Sequence, residues 1–374
     1  MFDLRKDYLL WQRQYRTENI SGSKNNFLCS YPFIFDASAK SLILAIDSEI
    51  QQDQAAQNSV YQQILYSTPI DGTIYVNPYL TISVHRNTIL QETINQLCYL
   101  TKHNESDFKK PLKVSFEGED AVDAGQGMKK EFFLLLMKEI LDEKYGMFVE
   151  YNETACIWFH HASFEEETMF HLIGVLAGLA IYNKVIINLP FPVVLYKKIL
   201  GEPLDGLDDL AYLDPMLSKN LKEILNTSYG PEEFDAIFGE MNFTITMQTF
   251  GSPVEYELCP SGKEVRLTYE NRAEYVELYW KYILDTSIKK QFFAFRNGFM
   301  KVLDSTILTI LNAEELKAMK FLMLEEIETH ENKSDFAKYS KSTCETKDDL
   351  AILVKDLTVK WDSITLALAL KKAS

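Results

Sequence analysis

Residues Lys110 to Phe133, KPLKVSFEGEDAVDAGQGMKKEFF, decide the fold class, because a strand, a turn and the start of an amphipathic helix follow one another within them. Leu112, Val114 and Phe116 alternate with Lys113, Ser115 and Glu117, the period-two pattern of a strand with one buried face. Gly118 ends the run. Asp120 to Gly127 supplies an acidic, glycine-containing turn, after which Met128, Phe132, Leu135, Leu136 and Ile140 recur at helical spacing. Asp123 is placed to cap that helix. Capping and solvation account for Glu119, Asp120 and Asp123 better than a divalent cation does, since their spacing lacks the ligand pattern of a calcium loop. Arg86 is expected to pair with an acidic neighbour in a structural role.

Working outward, 374 residues with 47% apolar content suffice for one large domain or two moderate ones with a real core. With 38 basic against 54 acidic residues, net −16, the chain lacks the clustered cations that nucleic acid or an anionic membrane would need. A basic or neutral protein partner fits better. The five cysteines, Cys29, Cys98, Cys156, Cys259 and Cys344, are scattered without zinc-ligand spacing, which reads as reduced thiols in a cytoplasmic protein. Cys98 and Cys156 sit among apolar neighbours and read as buried and inert. No metal or other cofactor is expected.

The amino terminus has no continuous apolar segment of the secretory kind. The longest apolar run, Met169 to Tyr182, is too short for a bilayer span and reads as a buried helix. In it Gly174, Ala177 and Gly178 fall on nearly one face, which lets a second helix approach closely. His171, within the same run, reads as a core histidine.

Residues 1 to 66 read as helical, anchored by Phe33, Phe35, Leu42 and Ile43. Short strands are expected at Ile74 to Tyr79 and Thr81 to Val84, then a helix at Thr88 to Thr101. Val193 to Leu200 forms a helix ended by Gly201, and the acidic stretch Asp205 to Asp214 marks a junction. Beyond it come a helix at Met216 to Leu225 and strands at Phe243 to Met247, Val254 to Leu258 and Val265 to Tyr269. Asn271 then caps a helix over Arg272 to Ile283, and another over Thr286 to Phe299 ends around Gly298.

Several blocks, in order, carry a likeness to a known family. They are Tyr31 to Ala37, Glu117 to Gly125 with Lys130 to Phe133, Ile157 to Phe159, His171 to Gly174 and Gly178 to Asn183. Phe191-Pro192 with Leu195 to Lys198, Asn271-Arg272 with Glu274 to Val276, and Ala294-Phe295 with Gly298-Phe299 complete the set. Over roughly residues 26 to 320 the sequence resembles the amino-terminal lobe of HECT-type ubiquitin ligases, in particular the HERC branch. It departs at Gly125-Gln126-Gly127, where the family has a pair of adjacent glycines.

The resemblance implies an α+β, mainly α-helical fold: a bilobal HECT amino-terminal lobe with an inserted small α/β subdomain and short β-hairpins. The implied division is a helical lead-in at 1–80, a large subdomain at 81–203, the small docking subdomain at 204–270, closing helices at 271–320 and a divergent helical tail at 321–374. The implied partners are a ubiquitin-conjugating enzyme (E2), ubiquitin or a ubiquitin-like modifier, and a protein substrate. In the family a cysteine of the carboxy-terminal lobe takes ubiquitin as a thioester and passes it to a lysine. Transthiolation exchanges bonds of similar energy, so positioning and thiol ionisation dominate.

The family's cysteine-lobe motif, Leu-Pro, His-Thr-Cys-Phe and Leu-Pro, occurs nowhere after Lys320. Cys344 shares only the Thr343-Cys344 pair, and Glu345 beside it disfavours the thiolate. No catalytic residue is therefore expected, Cys344 being only a weak candidate. Two readings remain: a HECT-type transferase, or a fragment or isoform of one, and a module that binds conjugating enzymes without a thioester. For docking, the resemblance points to Leu217, Leu221 and Ile224 on one helical face, with Met241 and Phe243 beside them. The same stripe could equally be this subdomain's core. If it faces solvent, Leu221→Ala weakens docking and leaves the melting temperature nearly unchanged; if it is core, the melting temperature falls.

Overall fold

The structure is a computed structural model that describes residues 3–17, 27–66, 77–103, 105–119, 126–185, 187, 189–303 and 305–319. Asp120, Asp123, the tail from residue 320 and Cys344 within it lie outside the described residues. What is described is mainly helical with a few short strands.

Helix α1 (Leu4–Thr17) lays Tyr8 and Trp11 inward, and α2 (Ala37–Tyr66) receives them. The buried Asp47 carboxylate on α2 accepts the Tyr8 hydroxyl at 2.7 Å, the Gln12 amide at 2.9 Å and the Gln51 amide at 2.5 Å. Removing a buried acceptor strands its donors. Asp47→Ala is therefore expected to lower stability by about 1–3 kcal/mol, read by urea denaturation. An unchanged midpoint would mean that the cluster contributes nothing. Ile43 anchors α2 as expected, but Phe33 does not: in a 3-10 turn before α2 its ring is exposed and meets Tyr31 edge-on.

Strand β1 (Leu80–Val84), helix α3 (Ile89–His103) and strand β2 (Leu112–Phe116) form a β-α-β unit in which the strands pair in parallel from Leu80↔Leu112 to Val84↔Phe116. Leu80, Ile82, Val84, Leu112, Val114 and Phe116 all face inward, as alternation dictates. No strand includes residues 77–79, since Pro78 has no N–H to give a ladder; residues 74–76 lie outside the described residues. Arg86 pairs with Glu119 and Glu131 at 2.5 and 2.6 Å and stacks 4.2 Å over Phe116, tying the acidic turn to the next helix.

That helix, α4 (Gln126–Ile140), buries Phe132, Phe133, Leu136, Met137 and Ile140. A hairpin of β3 (Phe148–Tyr151) and β4 (Cys156–Phe159) follows, and the Trp158 indole donates to the Ile283 carbonyl at 3.2 Å. Cys98 and Cys156 are half-buried rather than buried. Helix α5 (Glu167–Tyr182) is buried on nearly every side. Among the described residues no helix is long and apolar enough to cross a membrane. Helix α6 (Val193–Leu200) stops at Gly201, whose φ of +77° suits glycine.

Next come α7 (Leu207–Ala211), α8 (Pro215–Leu225), α9 (Pro231–Phe238) and an antiparallel hairpin of β5 (Thr244–Thr249) and β6 (Ser252–Glu257). Sequence periodicity did not reveal α7 or α9. The strand expected over Val265 to Tyr269 is only a single bridge, Asn242↔Arg266. Asn271 explains this. It stands at the N-cap of α10 (Arg272–Leu284), yet its side chain binds the Thr268 N–H at 2.7 Å and the Arg266 carbonyl at 2.8 Å instead of capping.

Helix α11 (Lys289–Val302) crosses α5 with glycines at the contact. A Cβ added at Gly174 would lie 1.9 Å from the Phe295 carbonyl oxygen, and one at Gly298 would lie 1.9 Å from that of His171. Gly298 is thus not a helix end, as its sequence context suggested, but a mid-helix crossing point. A last helix at 313–319 opens with a reciprocal capping box: Asn312 Oδ1 accepts the Glu315 N–H and Glu315 Oε2 accepts the Asn312 N–H, both at 2.9 Å. The same Glu315 carboxylate holds the buried Lys40 ammonium at 2.7 and 2.8 Å, across 275 residues of sequence.

Candidate docking site

The region from Leu204 to Glu270 builds its interior from α8 outward. Asp214 caps α8 by accepting the Leu217 N–H at 2.8 Å, and Pro215 occupies the first turn, where a missing N–H costs nothing. Ser218, Leu221 and Ile224 then fall on the buried face, the Ser218 hydroxyl donating to the Leu207 carbonyl at 2.7 Å. Phe243 is buried against Tyr275 with ring centroids 5.3 Å apart, and Phe234 of α9 is buried beside Phe238 and Tyr269.

Of the five residues named from sequence, then, Leu221, Ile224 and Phe243 are interior, Leu217 is half-buried, and Met241 is exposed at 38%. The set divides into buried and more exposed members. To the exposed members the structure adds residues that sequence reasoning did not single out: Met216 at 57% exposure, Tyr229, and Ile237 at 52%. For Ile237 the signal was available in Gly230-Pro231-Glu232-Glu233, a helix start with proline at the first position and acids in the first turn. Gly239 then lets the chain turn against the Asp235 carbonyl, 2.2 Å from where a Cβ would stand, and delivers Met241 just past α9.

Eight of the eighteen large apolar side chains that stand exposed among the described residues belong to this region. Around them, residues 204 to 240 carry nine carboxylates against two lysines. The Lys222 ammonium, 2.6 Å from Asp208, holds that carboxyl below its ordinary range. Lys197 ties α6 to α7 through Asp205 at 2.6 Å and the buried Asp209 at 2.8 Å; burial opposes its charge, but the two carboxylates outweigh it and raise the lysine's pKa. A region that combines exposed apolar side chains with a predominance of carboxylates suits a protein with an apolar projection among cations.

Elsewhere, burial raises the Cys29 thiol's pKa, with the Asp7 carboxylate adding to it, so this cysteine is not a thiolate. Cys344, the weak nucleophile candidate, lies outside the described residues. Among the described residues no cluster of histidine, cysteine and carboxylate could hold a metal ion.

Residues 134–360 match the family model of the HECT-domain (ubiquitin-transferase), well over half of the chain. The chain belongs to the HECT-domain family. Its likeness is to the HERC branch. It is 38% identical over 322 residues to a human protein named probable E3 ubiquitin-protein ligase HERC3, covering 85% of this chain and 30% of that one. To the mouse protein named probable E3 ubiquitin-protein ligase HERC4 it is 40% identical over 326 residues, with the same coverage. A human probable E3 ubiquitin-protein ligase HECTD2 is 33% identical over 331 residues, covering 85% of this chain and 40% of that one. The chain thus spans less than half the length of these relatives. The expected fold class holds at the level of a mainly helical HECT domain with short strands.

Proposed function

We propose that this chain belongs to a HECT-type ubiquitin-protein transferase and docks a ubiquitin-charged conjugating enzyme, so that ubiquitin or a ubiquitin-like modifier passes to a protein substrate. The exposed apolar side chains of the 204–270 region carry this reading: Met216, Ile237 and Met241 are exposed and Leu217 is half-buried, while Leu221, Ile224 and Phe243 belong to the interior. On this reading residues 204–270 are a small docking subdomain set into a large one formed by 81–203 and 271–320, the lobe acts in the cytoplasm, and no cofactor takes part.

Docking and chemistry separate cleanly in this proposal. Binding needs only these exposed side chains, whereas transfer needs an accessible cysteine that can become a thiolate. The test is a titration of a panel of conjugating enzymes against the chain and two variants, Ile237→Asp and Met241→Asp. Each introduced carboxylate should weaken binding about tenfold or more and leave the melting temperature within error, because neither side chain is buried. Binding that is indifferent to both substitutions would remove the docking face from 204–270. A reductant-sensitive ubiquitin adduct that vanishes in Cys344→Ala would assign the transfer step to that cysteine; binding without an adduct favours the docking module alone.

A further inference from the structure

The β5–β6 hairpin ends in a two-residue turn, Phe250-Gly251, with φ of +48° and +82°. Two positive φ angles in a two-residue loop are the signature of a type I′ turn, whose first position favours asparagine, aspartate or glycine. Phenylalanine there is strained, and bulky residues held against a local rule mark places where something other than local stability is served.

What the ring gains is visible. Phe250 stacks on Phe164 with centroids 4.2 Å apart and planes at 15°, leans on His160 at 5.1 Å, and touches the Gly146 region of the β3 lead-in. His160 in turn stacks on His161 at 5.1 Å, whose Nε2 is 3.2 Å from the Thr249 hydroxyl and whose ring meets Tyr256 edge-on. The Gln291 amide donates to the carbonyls of both histidines at 3.3 and 3.2 Å, so α11 braces the loop that receives the hairpin. At its other end the hairpin grows from Met241 and Phe243, and the Leu258 N–H closes back on the Phe243 carbonyl at 2.9 Å. A six-residue ladder therefore connects the tip to the proposed docking face across about 20 Å.

We propose that Phe250 is a positioning residue: with Phe164, His160 and His161 it clasps the hairpin tip to the loop after β4 and so fixes the tilt of the docking face. This rests on the docking reading for its purpose, though not for its measurement. The clasp is also sensitive to acid. Burial lowers the pKa of both imidazoles, and for His161 the neighbouring His160 adds to it. Among the described residues, the titratable groups in ring contact with these imidazoles are Tyr256 and the other ring of the pair; Phe250 leans on His160, the Ala162 N–H donates to His160 Nδ1, the Thr249 hydroxyl lies 3.2 Å from His161 Nε2, and neither ring is paired with a carboxylate. Groups whose folded pKa is depressed in this way contribute stability that is fully present above the ordinary histidine value and is lost as pH falls below it through the depressed folded value.

The experiment measures the distance between fluorophores carried on unnatural side chains at Thr246 and Leu134, both exposed, in the full chain without any conjugating enzyme. Phe250→Asn keeps the turn's preferred chemistry and removes only the ring. A single narrow distance is expected in the unaltered chain at about pH 8, broadening at about pH 5, and Phe250→Asn should be broad at both. Phe164→Ala, made at a side chain exposed at 85%, should broaden the distance likewise and guards against misfolding of the first variant. Distances as narrow in both variants as in the unaltered chain would overturn the clasp, and a pH-invariant distance in the unaltered chain would overturn the part assigned to the histidines. Because no partner is present, neither result depends on whether the docking face binds a conjugating enzyme.

Discussion

Gly298→Ala is expected to destabilise the chain by about 3 kcal/mol or more, the upper end of what overpacking costs. Alanine in a helix interior otherwise gains about 1 kcal/mol over glycine, so the sign of the result is diagnostic. The added methyl would lie 1.9 Å from the His171 carbonyl oxygen, 2.8 Å from its carbon and 2.9 Å from the Val175 nitrogen. All three are backbone atoms and cannot rotate away. Relief requires α5 and α11 to separate, and that loosens the buried Phe170, Phe295 and Phe299. Gly174→Ala meets Phe295 in the same manner and should match it. Thermal and urea unfolding decide the matter; a midpoint equal to or above that of the unaltered chain would show that the crossing is not tight.

Leu221→Ala is expected to lower stability by about 2–5 kcal/mol, the range for emptying a buried leucine site. Leu221 is 2% exposed and sits between Ser218 and Ile224 on the inward face of α8. The spacing of Leu217, Leu221 and Ile224 established one stripe without saying which way it faced, since a surface line and a core line have the same period. The structure turns Leu221 and Ile224 inward. A melting temperature that holds while binding of a conjugating enzyme falls would reverse this assignment and return Leu221 to the contact surface. The opposite pairing of outcomes in Ile237→Asp makes the buried and exposed members of the region separable by experiment.

Much of the scaffold was legible because it follows from periodicity. Leu112 to Phe116 alternates and is a strand; Met169 to Tyr182 is apolar all round and is a buried helix; Gly174 and Gly178 share a face and meet another helix. The misreadings came where a single side chain redirected the backbone or where an element was too short to show a period. Asn271 takes up the polar groups around Val265 to Tyr269 that a strand would have used. Gly298 resembled a stop signal because glycine ends helices as often as it admits a neighbour, and only the partner α5 distinguishes the two roles. Helices α7 and α9, of five and eight residues, are too brief for a pattern of their own, and the exposed Ile237 went unread with them. The family likeness named five residues of the 204–270 region without separating the buried Leu221, Ile224 and Phe243 from the exposed Met241.

The Lys40 ammonium illustrates what this topology asks of a growing polypeptide. Its carboxylate partner is Glu315, which leaves the ribosome 275 residues later, an interval on the order of tens of seconds at ordinary elongation rates. Throughout that wait α2 cannot bury Lys40 without stranding a cation, so the face of α2 that carries it closes only once Glu315 has been made.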